Sequence, residues 1–162
     1  MGLMNCNFEI AIVYASVTGN TQAVAEILTE SFRAAGFLPD VYEIDHFDMN
    51  KLGRYDIVVV GTYTWGSGEI PAEMQELFEA FEELRRPELV TAVFGTGDSF
   101  FAEFCGAVDR FRNMLYVHTN LAATLKIELM PQETDLTRCE KFVEAVGRRL
   151  AEADEKRKSK AT

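Results

Sequence analysis

Apolar residues along this chain come in two kinds of run. Phe8–Tyr14, Ile57–Gly61 and Leu89–Gly95 barely alternate with polar residues, and so read as strands buried on both faces. The second of these, Ile57-Val-Val-Val-Gly61, is the most strand-like because it is β-branched and uninterrupted. Elsewhere apolar residues recur at every third or fourth position. Val24, Leu28 and Phe32 form one such stripe, widened by Ala25, Ile27 and Ala35. Ile70, Met74, Leu77, Phe78, Phe81 and Leu84 form a second. Phe104, Val108, Phe111 and Leu115 form a third, and Leu136, Cys139, Val143, Val146 and Leu150 a fourth. Each stripe is the buried face of a helix laid on a sheet. Gly36 suits the position just past the first helix, Pro71 the first turn of the second, and Thr134 or Asp135 the cap of the last. Leu38–Ile44 and Leu125–Leu129, or a longer run from Asn120, read as two further strands, with an irregular stretch at Asp45–Tyr55 that has room for one helical turn.

Strands alternate with helices, and the crossovers are too long for hairpins. The class is therefore α/β: a doubly wound, five-stranded parallel sheet with helices on both faces, which can be wound in the order 2-1-3-4-5. A single domain over residues 8–152 is expected, with flexible tails at 1–7 and 153–162; Asp154–Thr162 is charged and is expected to fray. In such a sheet ligands bind beyond the C-terminal strand ends, near the switch between strands 1 and 3. The loops after strands 1, 3 and 4 would meet there.

Those three loops are the unusual stretches of the sequence. The first, Ser16-Val17-Thr18-Gly19-Asn20-Thr21, is rich in hydroxyls and has no Lys or Arg. A strand-to-helix turn exposes unpaired N–H groups that favour an anion, and hydroxyls and an amide add donors without adding charge. The same residues also suit a plain polar helix cap, and this loop alone leaves the two readings open. The second loop, Thr62-Tyr63-Thr64-Trp65-Gly66-Ser67-Gly68, holds the only Trp in the chain. The third, Thr96-Gly97-Asp98-Ser99-Phe100-Phe101, also sets aromatics among small polar residues. Either Trp65 or Phe101 alone could fold inward as core. Together, two aromatic loops beside a phosphate loop suit a flat conjugated ligand with a phosphate tail.

Composition narrows the partners. The chain has 162 residues and a formal net charge of -10, which disfavours nucleic acid and favours a basic protein. No apolar run approaches the roughly 20 residues of a membrane span, and the N-terminus does not read as a signal peptide. Cys6, Cys105 and Cys139 are scattered, which suggests reduced thiols in the cytoplasm. His46 and His118 stand alone, so no metal site is expected.

Taken together, the three loops resemble the flavodoxin family. Ser16-Val17-Thr18-Gly19-Asn20-Thr21 matches its phosphate-loop pattern Thr/Ser-x-Thr-Gly-x-Thr, and Thr64-Trp65-Gly66 and Gly97-Asp98-Ser99 fall at its two flavin-contacting loops. The resemblance runs from about Phe8 to Leu150. With no insertion visible after Leu125, it is to the short-chain type. It implies a flavodoxin-like fold and bound FMN in a monomeric carrier of single electrons at low potential. It also implies redox partners, a flavodoxin reductase and acceptor enzymes, but no enzymatic activity. Ser16, Thr18, Asn20 and Thr21 would bond the phosphate, helped by backbone N–H groups around Val17 and Gly19. Trp65 would cover one flavin face. Phe101, where the family most often has Tyr, would cover the other, with Phe100 as the alternative. Gly97 and Asp98 would meet the pyrimidine edge, and Thr62, Tyr63, Thr64, Thr96 and Phe104 complete the expected cofactor site. Gly66 falls where the family turns a peptide so that a carbonyl accepts from reduced N5, stabilising the neutral semiquinone. Glycine permits that turn at little cost.

Charge supplies a second means of tuning. Glu69, Glu73, Glu76, Glu79, Glu82 and Glu83 carry no intervening base, and Asp98, Glu103 and Asp109 add to the same edge. Glu79, Glu82 and Glu83 suit a solvated helix face. Glu69, Glu73, Asp98 and Glu103 are the candidates for docking a partner. An FMN enzyme on this fold, such as a quinone reductase or a haem-pathway oxidase, is the alternative, although no extra substrate loop is evident. A phospho-receiver would need acids where Ser16, Thr18 and Trp65 stand, and a P-loop nucleotidase would need Gly-Lys-Ser/Thr.

Overall fold

Ile10, Ile12 and Tyr14 point to one side of the first strand and Ala11 and Val13 to the other, and both sets are buried. That two-sided burial makes this strand the middle of a layered structure. The computed structural model describes residues 7–161; the expected N-terminal tail, except Asn7, and Cys6 lie outside the described residues. In chain order the elements are β1 (Ile10–Tyr14), α1 (Asn20–Ala34), β2 (Asp40–Glu43), β3 (Ile57–Tyr63), α2 (Gln75–Leu84), β4 (Val90–Gly97), α3 (Gly106–His118), β5 (Asn120–Glu128) and α4 (Glu133–Ala161). Short 3-10 turns at Ile44–His46 and Met49–Arg54 occupy the stretch read as irregular, and another at Ala72–Met74 precedes α2.

The strands form one parallel sheet in the order β2-β1-β3-β4-β5, as the sequence predicts. Val24, Leu28 and Phe32 of α1 join Phe142, Val143 and Val146 of α4 over one face. Leu77 and Phe81 of α2 join Val108, Phe111 and Leu115 of α3 over the other. Burying both faces accounts for the unalternating strands.

Helix ends follow local chemistry. Gly36, at φ 93, closes α1 in a Schellman turn: Gly36 N–H donates to Arg33 O (3.0 Å) and Phe37 N–H to Phe32 O (2.9 Å). The rings of Phe32 and Phe37 then meet edge-on at 5.8 Å. At the start of α4, the Asp135 carboxylate reaches back to accept from Gln132 N–H at 2.9 Å, so Asp135 acts inside the first turn rather than as the cap itself. The apolar stripe of α4 stops at Leu150, where the sequence pattern ended the helix, yet the helix runs on to Ala161. Ion pairs from Asp154 to Arg157 (2.7 Å) and Lys158 (3.1 Å) span that continuation, a signal that apolar periodicity cannot carry.

Two strands outrun their expected ends. β3 continues through Thr62 and Tyr63 and β4 through Thr96 and Gly97, pairing Thr62 with Gly95 and Tyr63 with Thr96. Gly95 is required there, because a Cβ would collide with the Thr62 carbonyl and the Val108 side chain. Gly95→Ala should therefore lower stability by about 1–3 kcal/mol, measured by urea unfolding of the flavin-free protein; an unchanged midpoint would contradict this packing.

Candidate functional site

The loop between β1 and α1 is defined by what its backbone leaves undone. Ala15 N–H still pairs with Gly61 O at 3.0 Å, and Ala23 N–H with Gly19 O at 3.0 Å. Between them, the N–H groups of Ser16, Val17, Thr18, Gly19, Asn20 and Thr21 donate to nothing among the described residues. Gly19 is the residue before α1, at φ 93, and caps no N–H with a side chain. A run of free N–H groups around a left-handed residue at a helix start is an anion-binding concavity. The loop is therefore more than a plain polar cap, although one member does cap: Ser16 Oγ accepts from Gln22 N–H at 3.2 Å.

Thr21 is buried, and its hydroxyl lies 2.8 Å from that of Thr96 at the end of β4. Two hydroxyls share one proton in such a bond, so one proton of the pair stays free to donate outward. This contact ties the first loop to the third. The second loop is tied as well. Trp65 and Glu69 exchange backbone bonds (Trp65 N–H to Glu69 O 2.9 Å; Glu69 N–H to Trp65 O 2.7 Å), closing a small turn over Gly66, at φ 51, and Gly68, at φ 93. Thr64 Oγ1 accepts from Ala107 N–H at 3.2 Å. In the third loop, Asp98 accepts from Phe100 N–H through its side chain (2.9 Å) and from Phe101 N–H through its carbonyl (3.1 Å), fixing the aromatic pair.

These loops enclose a cleft of about 350 Å³ at the C-terminal ends of β1, β3 and β4. It is lined by Val17, Thr18, Asn20, Thr21, Tyr63, Thr64, Trp65, Gly66, Thr96, Gly97, Asp98 and Phe101, all expected from the sequence. Four expected residues do not line it. Ser16 is turned to its capping bond, and Gly19 contributes backbone. Thr62 is buried in β3, with its hydroxyl donated to Tyr63 O at 2.8 Å, and half-buried Phe104 packs against the core. Of the two candidate aromatics, Phe101 lines the cleft, whereas Phe100 stands out from it, 86% exposed. Trp65 is 61% exposed rather than folded into the core.

Glu103, Cys105 and Leu129 also line the cleft. Leu129 follows β5 and donates its N–H to Gly97 O at 2.8 Å. The sheet order could have found it, since β5 ends at the same edge. Cys105 gave no motif signal. It lies against Gly97, where a Cβ would come within 3.0 Å of the Cys105 N and Sγ atoms. Burial pushes its thiol up to about 12, so no thiolate forms on the cleft floor at neutral pH.

Among the described residues no Lys or Arg lines the cleft, while Asp98 and Glu103 do. Tyr63 donates its hydroxyl to Glu73, and burial followed by that bond pushes the phenol up to about 12. Asp109 departs from the acidic edge expected of it. Lys126 and Arg112 each lie 2.9 Å from its carboxylate, which largely neutralises it. Among the described residues no cluster of His, Cys, Asp or Glu could hold a metal, and no helix is long and apolar enough to cross a membrane. A larger cleft of about 660 Å³ lies at the opposite ends of the strands, lined by residues such as Asp56, Arg86, Glu88 and Arg157. It is on the wrong side of a parallel sheet for the ligand site.

A family model described as Flavodoxin matches residues 12–143. The chain belongs to the flavodoxin family. It is 38% identical over 153 residues to the probable flavodoxin 1 of Bacillus subtilis (strain 168), spanning 92% of this chain and 94% of that one. Among solved structures, flavodoxin 2 of Bacillus cereus superposes with a TM-score of 0.81 at 35% identity, covering 86% of this chain and 98% of the other. A short-chain flavodoxin superposes with a TM-score of 0.81 at 30% identity, covering 87% and 97%. As a flavodoxin, the protein binds FMN and carries electrons. The cleft fits that group: free backbone donors suit the phosphate, and the Trp65 and Phe101 side chains suit the ring.

Gly19 tests the phosphate end. A Cβ there meets no atom within 4 Å, so Gly19→Ala adds backbone strain without a clash. FMN affinity should fall about tenfold, the equivalent of 1–2 kcal/mol of left-handed strain, in fluorescence titrations of the flavin-free protein. Riboflavin, which has no phosphate, should bind as to wild type. An equal loss for both would contradict the assignment.

Proposed function

We propose that the three loops hold FMN by its phosphate and its ring and present the ring edge to a basic redox partner. The observation that supports this reading is the unbonded N–H run Ser16–Thr21, whose Val17, Thr18, Asn20 and Thr21 line the same cleft as Trp65 and Phe101. The run, with the Thr18, Asn20 and Thr21 side chains, takes the phosphate. Trp65 and Phe101 flank the isoalloxazine and exclude water from it. Gly97 and Asp98 meet its pyrimidine edge. Bound FMN supplies the redox chemistry, accepting and releasing single electrons. The Gly66–Ser67 peptide bonds to nothing among the described residues, so its carbonyl is free to turn toward the flavin.

The cradle adds no positive charge, so the phosphate keeps its own negative charge beside the ring. Asp98 and Glu103 line the cleft, and Glu69 and Glu73 adjoin it through the Trp65 turn and the Tyr63 hydroxyl. That field disfavours adding the second electron, which makes the second potential low. The same carboxylates surround exposed apolar groups, Trp65, Phe100, Phe101 and Leu129, in the pattern of a steering rim around a contact patch. The partner that fits is a basic protein.

A dithionite titration followed by absorption tests the carrier reading. Two well-separated one-electron steps support it. A single two-electron step, or direct oxidation of NADPH without a partner protein, would favour the FMN-enzyme alternative. For docking, the bimolecular rate with a basic reductase should fall about tenfold between low salt and roughly 0.5 M. A rate flat across that range would contradict docking through Glu69, Glu73, Asp98 and Glu103.

A further inference from the structure

Helix α3 holds the Trp65 turn on both sides, at Thr64 and at Gly68, and leaves its middle unbonded among the described residues. Its first residue, Gly106, comes so close to Gly68 that a Cβ there would lie 2.6 Å from Gly68 Cα and 3.0 Å from Gly68 O. Its second, Ala107, donates to Thr64 Oγ1 at 3.2 Å. One turn on, Arg110 Nε donates to Gly68 O at 2.9 Å. Gly68 itself is buried at φ 93, and a Cβ on it would collide with Glu103.

The Arg110 bond has two unusual properties. Arg110 takes part in no ion pair among the described residues, although Glu69 lines the same surface groove and the chain is strongly acidic. Its neighbours Asp109 and Arg112 pair with each other instead. Its one hydrogen bond among the described residues goes to a neutral backbone carbonyl, the one that ends the Trp65 turn.

The backbone bonds of the turn show what this achieves. Trp65 and Glu69 are bonded to each other, and the Gly68 carbonyl is held by Arg110. The carbonyls of Gly66 and Ser67 are held by nothing among the described residues. We infer that Arg110 is a positioning residue for the flavin loop: by holding the Gly68 carbonyl it confines backbone rotation to the Gly66–Ser67 peptide, and so sets the separation of the two one-electron potentials of bound FMN. The inference rests on the reading that this turn faces the flavin. Its substance is a division of labour within one five-residue turn, in which Gly68 is fixed from α3 so that Gly66 can move without loosening Trp65.

Two substitutions separate the bond from the charge. Arg110→Gln keeps an N–H donor at the depth of Arg Nε but removes the charge, and Arg110→Met keeps the length and removes both. Each is measured in two states. In the flavin-free protein, Trp65 and Glu69 amide hydrogens should exchange about tenfold faster in Arg110→Met and at near wild-type rates in Arg110→Gln. In the FMN-loaded protein, the equilibrium constant separating the two one-electron steps should change about tenfold in Arg110→Met and little in Arg110→Gln. If Gln shifts as far as Met, the effect is charge and the inference falls. If neither shifts while Gly66→Ala does, the turn governs the potentials without Arg110, and the inference again falls. If Gly66→Ala also changes nothing, the placement of this turn at the flavin is wrong, and the inference goes with it.

Discussion

The proposed cofactor site depends on one constraint, that an anion be held without a cation. A phosphate monoester brings close to two negative charges near neutral pH. In the proposed site those charges are met by the backbone N–H groups of Ser16–Thr21, hydroxyls and an amide. Such donors work only when they are aimed in advance, because none carries a charge that acts at a distance. The aim comes from both ends. β1 is locked on both faces of the sheet, and α1 starts at a left-handed Gly19. The Thr21–Thr96 hydroxyl pair then links this cradle to the end of β4. With a phosphate there left unneutralised, the carboxylates around the cleft would act on a flavin in the proposed site in the same sense.

Holding the second and third loops together falls largely to α3. The start of that helix lies against Gly97 through Cys105, against Gly68 through Gly106, and on Thr64 through Ala107. A Cβ at Gly106 would strike the Gly68 backbone and one at Gly97 would crowd Cys105, while Gly68 is left-handed at φ 93 and faces the Glu103 side chain. The Trp65 turn is thus firm where Trp65 pairs with Glu69, and its Gly66–Ser67 peptide is unbonded among the described residues.

Much of this was legible in the sequence, for a physical reason. Strands buried on both faces cannot alternate, and helices laid on a sheet must repeat at three and four, so Ile57–Val60 and the Val24-Leu28-Phe32 stripe announce their elements. The sheet order then carries three odd loops to one edge. What stayed hidden depends on contacts distant in sequence. Nothing near Arg110 marks it as a partner of Gly68, and nothing near Asp109 shows that Lys126 neutralises it. Thr62 reads as loop because small polar residues surround it, yet pairing with Gly95 makes it strand. The continuation of α4 to Ala161 was masked because its side-chain pairs are ionic rather than apolar.

The most direct test of the cation-free cradle is the salt dependence of cofactor affinity, with FMN and riboflavin titrated against the flavin-free protein side by side. A site built on Lys or Arg loses affinity for a phosphate as salt screens the attraction. Here the nearby protein charge is negative, and the formal net charge is -10. FMN affinity should therefore stay constant or rise as salt increases from about 0.01 to 0.5 M, while riboflavin affinity stays level. A fall in FMN affinity of about tenfold over that range, with riboflavin unchanged, would mean that a cation holds the phosphate after all.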